Sequence, residues 1–272
     1  MAETIFNPDV LIPDRVVRIT KVDPSTGEVV WTGTHFKDAK LSCDGENVLS
    51  KDELGTTIGQ FDRSKTTTFS AASAVVSLDI LADQIGSTKE YATSTNKMTS
   101  PAFELKEADT NEGTSTLTLK HTPKDGTVKY VYAMTEDGSK SIKYTVSTSA
   151  GTDNFTIAGK VITLGSAIPT TGVTFAVRYE YETTKSVKIS NKADVFSSVG
   201  LYDIEVLFKN VCDMSQTQYG HIIFERGKMS NSVELGLDPE SDQSIEITAL
   251  VPYCSANKNL WYILITDDED EE

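Results

Sequence analysis

His35, His121 and His221 are the residues of this chain best suited to proton transfer or metal ligation, and they stand far apart in sequence. Metal sites usually draw such side chains from short, fixed spacings, so that one or two elements aim them at a common point. No HxH, HExxH or Cys/His pairing accompanies these three, and each falls within or beside a predicted strand, so a structural role is expected for all of them. Cys43, Cys212 and Cys254 are odd in number and widely spaced, without a CxxC pair, which fits reduced thiols. The GxSxG elbow, the P-loop and the GxGxxG fingerprint are absent. With 40 acidic residues in the chain, any two carboxylates could be paired for glycoside hydrolysis, and abundance empties that choice of meaning. Asp109-Thr-Asn111-Glu-Gly113 has the spacing that opens a calcium loop but lacks the later ligands and the closing glutamate, so a turn is expected there. Tyr130, Tyr132, Tyr144, Tyr179 and Tyr181 would suit a stacking platform for nucleic acid or sugar. Tyrosine at alternate positions is also ordinary sheet packing, and that reading is preferred. No catalysis, metal or cofactor is expected.

The elements that carry these residues are strands. At Val173, Phe175, Val177, Tyr179 and Tyr181 every odd position is apolar, with Thr174, Arg178 and Glu180 in three of the gaps, a period of two that puts one face on a core. From Thr114 to Ser190 such strands recur at short spacing, separated by turn chemistry at Pro123-Lys-Asp-Gly126, Glu136-Asp-Gly138, Ala158-Gly159 and Thr170-Thr-Gly172. The block has the size of an immunoglobulin-like module without its Cys and Trp hallmarks. Before it, strands are predicted over 15–22, 28–33 and 36–43, the first two joined by Asp23-Pro-Ser-Thr-Gly27. Residues 44–60, glycine-containing and poor in apolar side chains, predict a long loop. The one predicted helix runs over about 71–85, with Val75, Leu78, Ala82 and Ile85 on one face and Gly86 placed to end it. Residues 87–101 predict a polar connection. After the block, 201–211, 221–226, 244–251 and 259–266 again predict strands.

The totals bound the function. A chain of 272 residues buries a substantial core and suits one or two domains. Its net charge of -15 opposes phosphate binding, which draws affinity from clustered Lys and Arg, yet an acidic surface suits a path along which DNA must slide without sticking. The first residues, Met-Ala-Glu-Thr-Ile-Phe-Asn-Pro-Asp, show neither the basic nor the apolar region of a signal peptide, and no apolar run reaches membrane-helix length. Synthesis in the cytoplasm without membrane insertion is expected. The acidic run Asp267, Asp268, Glu269, Asp270, Glu271 and Glu272 predicts a solvated tail that discourages edge pairing.

The stretch Ala39-Lys-Leu-Ser-Cys-Asp-Gly45, the long loop, Phe61-Asp-Arg-Ser-Lys65, the helix from Ser73 to Gly86 and the closing strands together resemble the tail tube proteins of tailed bacteriophages. The resemblance covers about the first 100 and last 80 residues. It implies a mainly β, sandwich- or barrel-like tube fold with one covering helix, formed by 1–100 and 191–272, with 101–190 as an inserted or appended immunoglobulin-like β block. It also implies a virion subunit that closes into six-membered rings, which stack into a hollow conduit for DNA. Further partners would be sheath, baseplate or terminator proteins. By the same likeness Asp44, Glu46, Lys51, Asp52 and Glu53 become candidates for ring-to-ring contact. The alternative is another virion structural or adhesin-like β-sandwich, such as a baseplate or capsid-decoration module.

Overall fold

A computed structural model describes residues 8–149, 151–238, 242–251, 254 and 258–266. The fold is mainly β, and its curled sheets form half-barrel and sandwich-like arrangements. The chain divides into two compact units, Met1–Lys89 with Ile189–Glu272, and Glu90–Lys188.

The first unit begins with a 3-10 turn, Pro8–Val10, followed by β1 (Leu11–Val22), β2 (Val29–Gly33), β3 (Phe36–Lys51), β4 (Thr57–Ser73) and the helix α1 (Leu78–Gln84). The second unit contains β5 (Glu90–Tyr91), β6 (Met98–Glu107), β7 (Asp109–Asn111), β8 (Thr114–Thr118), β9 (Tyr130–Met134), β10 (Lys140–Val146), β11 (Asn154–Ala158), β12 (Val161–Leu164), β13 (Thr174–Thr183) and β14 (Val187–Lys188). The chain then returns to the first unit as β15 (Val199–Asn210), β16 (Thr217–Met229), β17 (Gln243–Ala249) and β18 (Tyr262–Ile265).

In the first unit the antiparallel order is β2-β1-β15-β16-β17-β4-β3, and β18 also pairs with β16. The strand β16 is long enough to serve both, meeting β17 at residues 227–229 and β18 at 220–223. Alternation chooses the inner face: Tyr202, Ile204, Val206 and Phe208 of β15 and Ile245, Ile247 and Ala249 of β17 are all buried. One inner position is charged. Lys21 of β1 lies directly between Trp31 of β2 and Tyr202 of β15, and its side chain is fully buried. Asp83 of α1 meets it, with Lys21 Nζ 2.5 Å from one carboxylate oxygen while the Trp31 indole N–H donates to the other at 2.9 Å. Lys21 Nζ also donates to the Ser198 carbonyl and hydroxyl, each at 2.9 Å, and lies 5.7 Å from the Tyr202 ring centre. Burial, followed by the nearby Asp83 charge, pushes the Tyr202 phenol far above its usual range.

The helix is shorter than its pattern predicts. Residues 71–73 belong to β4, where Ala71 and Ser73 pair with Ile245 and Gln243 of β17 and Ser73 also pairs with Phe36 of β3. The two flanking ladders outweigh the helix propensity of the alanines. Ser77 caps the true start by accepting from the Ile80 N–H at 3.4 Å. At the other end Gly86 (φ 69°) donates to the Asp83 carbonyl and Ser87 to the Ala82 carbonyl, the two bonds of a Schellman stop. A β-carbon on Gly86 would lie 2.4 Å from the Phe196 carbonyl oxygen, so glycine is required there by space as well as by dihedral.

The predicted loop over 44–60 is also corrected: β3 and β4 form one long hairpin, and the connection shrinks to the turn at 52–56. Period-two alternation signals a strand only where one face is buried, and this hairpin is exposed on both faces beyond its root. The connection predicted over 87–101 holds β5 and the start of β6.

In the second unit the sheet order is β6-β13-β9-β10-β11-β12-β8-β7, antiparallel except for β10 with β11. Phe175, Val177 and Tyr179 of β13 face the core as their spacing predicts, beside Phe155, Ile162 and Leu117. Glu104 of β6 ties the first strand of the order to the chain just after β8. Its carboxylate accepts from the Lys120 N–H at 3.0 and 3.2 Å and from the Tyr179 hydroxyl, which itself accepts from the His121 N–H at 3.1 Å. Burial raises the Glu104 pKa, but the hydrogen bonds from Tyr179, Lys120 and Lys106 outweigh it and leave the group below its ordinary 4.5. Burial and then the bond to Glu104 push the Tyr179 phenol up to about 12.

Two outcomes follow from these buried groups. Asp83→Ala strands the Lys21 charge and should cost about 3–5 kcal/mol, whereas replacing both partners by Lys21→Met and Asp83→Leu should cost less than the single change; urea unfolding of the three proteins measures this. The depressed Glu104 pKa gives a contribution present above about pH 4.5 and lost as pH falls through the lower folded value. The raised Tyr179 pKa gives one present below pH 10 and lost as pH rises towards about 12. Melting temperature against pH should therefore flatten at the acid end in Glu104→Gln and at the alkaline end in Tyr179→Phe.

Candidate assembly interface

The residue types that suggested chemistry do not converge. Asp203 holds the His221 Nδ1 at 2.8 Å, His121 stacks on Tyr181 at 3.9 Å between ring centres, and His35 sits at a turn with φ 64°. Among the described residues no group of three or more His, Cys, Asp or Glu side chains could hold a metal ion. Asp109 and Asn111 lie on β7, and Glu112 (φ 50°) with Gly113 (φ 80°) makes the two-residue turn into β8. The five tyrosines share no platform. Tyr144 and Tyr179 are in the core, while the Lys143 and Lys140 ammonium groups lie 4.9 and 5.3 Å from the ring centres of Tyr130, which stays exposed, and Tyr132.

The feature without an internal role is the far part of the β3–β4 hairpin. The ladder runs unbroken in partnership from Cys43 opposite Thr67 to Lys51 opposite Thr57, with bulges near Glu46 and Ser50. At about 3.3 Å per residue the stretch 43–51 projects roughly 30 Å. Val48 stands opposite Phe61 on one face, and Leu49 opposite Gln60 on the other, with Ile58 at the bulge between the pairs Ser50–Gly59 and Lys51–Thr57. All four apolar side chains are exposed, Ile58 and Phe61 by 69% and 59%. A two-stranded ribbon is marginal in water unless something packs on it, and apolar side chains on both faces ask for a partner on each.

The expected contact residues all fall on this arm. Asp44, Glu46 and Lys51 are on β3, where Glu46 accepts from the Ser64 hydroxyl at 3.2 Å, and Asp52 and Glu53 are in the turn. The Asp52 carboxylate accepts from the Leu54 N–H at 3.0 Å and the Thr56 N–H at 2.7 Å, which fixes the tip. The run Asp267, Asp268, Glu269, Asp270, Glu271 and Glu272 lies outside the described residues. The charged positions are interspersed along this arm with Val48, Leu49, Leu54, Ile58 and Phe61, all of them exposed. The available signal was their presence in a stretch too polar to be core.

A family model described as the YomU/Tube protein family matches residues 12–263. The chain belongs to this family. The matched span starts in β1 and ends in β18, so it includes both units of this Tube-family chain. It agrees with the likeness to phage tail tube proteins. Comparison with curated proteins finds no match. Among the described residues no helix is long and apolar enough to cross a membrane. The family description points to a structural, tube-like role in a phage particle.

Because the arm is exposed, Phe61→Asp should change the unfolding free energy by less than about 1 kcal/mol. The same substitution should lower self-association measured by light scattering.

Proposed function

We propose that the chain is the subunit of a phage tail tube, closing into hexameric rings that stack into a hollow conduit for DNA, without catalytic activity of its own. The observation that carries this reading is the β3–β4 arm, which extends past its own core with apolar side chains on both faces. Two further features support it. The outer edges of β2 and β3 have no partner among the described residues, and neighbours in a closed ring supply one. The net charge of -15 suits a wall that repels DNA. In this reading Asp44, Glu46, Lys51, Asp52 and Glu53 belong to the contact between rings. Sheath, baseplate or terminator proteins would meet the tube as it is built.

Electron microscopy of the purified chain should show rings or tubes about 100 Å across, the size that six domains of this length enclose. Replacing residues 45–64 by a short turn should leave rings and abolish long tubes. Monomers alone under every assembly condition would sink the reading.

A further inference from the structure

The turn at the end of the arm is built to hold one side chain out. The Asp52 N–H donates to the Thr56 carbonyl at 2.9 Å, the Gly55 N–H to the Asp52 carbonyl at 3.0 Å, and Gly55 takes φ 81°, in addition to the two bonds to the Asp52 carboxylate. Leu54 emerges from this fixed frame 91% exposed, flanked by Glu53. A rigid turn that presents a leucine to water loses little entropy on docking, the condition that favours an anchor residue.

At the root of the same hairpin lies a cavity of about 550 Å³, lined by residues of β1, β3, β4, β15 and β16. It opens because the strands bulge where they border it, β1 between Pro13 and Arg15 and again between Val16 and Arg18, and β3 between Lys37 and Lys40. Asp38 holds φ 53° at the bulge of β3, an uncommon conformation for a residue with a side chain. The floor is apolar, from Val16, Leu41, Phe69 and Val206, and the rim carries Arg15, Lys37 and Lys40 together with Asp14 and Asp38. Of the rim charges, Asp14 is held by Arg15 and Lys209, and Lys37 by Asp242. Lys40 makes no ion pair among the described residues.

We infer that this cavity receives the Asp52–Thr56 tip of a second copy of the chain, with Leu54 on the apolar floor and Glu53 against Lys40. The tip cannot reach its own cavity, because Leu41 and Leu54 stand at opposite ends of one extended hairpin, about 40 Å apart at strand rise. A copy displaced along the arm by up to that distance places its tip in the next cavity. The contact joins two different surfaces and displaces each copy along the arm, so it repeats in the direction of that displacement and generates a stack. The contact rests on the tube reading and names the surface on each side of the ring junction.

The test uses full-length protein and single charge reversals at exposed positions, with circular dichroism as the folding control. Glu53→Lys and Lys40→Glu, each alone, and Leu54→Asp should raise the protein concentration needed for tubes roughly thirtyfold, as the loss of an interfacial anchor does. Rings of the Glu53→Lys and Lys40→Glu proteins, mixed, should stack again, since each tip then meets a cavity of opposite charge. Wild-type tubes with all three variants and the mixture indistinguishable from them would overturn this contact while leaving the tube reading intact. Tubes lost in the single variants and not recovered on mixing would also overturn the Glu53–Lys40 pairing. A wild-type chain that forms neither rings nor tubes would remove the tube reading and this contact with it.

Discussion

The buried ion pair between Lys21 and Asp83 is the constraint on which the first unit depends. A charge in the middle of a sheet's inner face is tolerable only if every donor is met, and here α1 brings the carboxylate, the β2 indole takes its second oxygen, and Ser198 fills the remaining positions on the ammonium. The helix is held from other sides as well: Ile80 is buried in the core, Gln84 donates to the Ser232 carbonyl at 3.0 Å, and the Gln243 side chain bonds to the Ser77 backbone. It is a single short element whose start is capped by Ser77 and whose end is fixed by Gly86, and Asp83 ties its last turn to the sheet. Glycine at 200 completes the arrangement, since a β-carbon there would lie 2.5 Å from Lys21 Cε.

That pair links segments that are distant in the chain. Lys21 and Trp31 lie near its start, Asp83 precedes the second unit, and Ser198 and Tyr202 follow it. The sheet of the first unit is thus assembled from both ends of the chain around one polar centre, while the second unit closes on itself through Glu104, Tyr179 and the Lys120 backbone. Both units use a satisfied polar group where a continuous ladder is not available.

The arm follows a different logic. Its root, at Phe36 and Leu41 on β3 and Phe69 on β4, belongs to the core, and its outer part has only its own ladder. Such a ribbon keeps register through its backbone bonds but buries little of its own surface. The bulges that open the cavity at its root are in the same strand as the tip, so one hairpin carries both a projection and the border of a recess.

The amino-acid sequence by itself determined the mainly β class, the strands with one buried face, the tight turns and the helix stop at Gly86. Each of these is local: alternation at Tyr202 to Phe208 or Phe175 to Tyr179 needs only one core face to read, and a positive dihedral needs only glycine. Family membership was legible too, because it rests on the order of such elements. Only the tertiary structure decided that residues 44–51 and 57–60 are strand, since a hairpin exposed on both faces has no alternation to show. The same holds for Ala71 to Ser73, whose neighbours in space are β17 and β3. Lys21 carries no sign in the sequence that it is buried, because its partner lies sixty-two residues away and its burial is stable only once that carboxylate is in place.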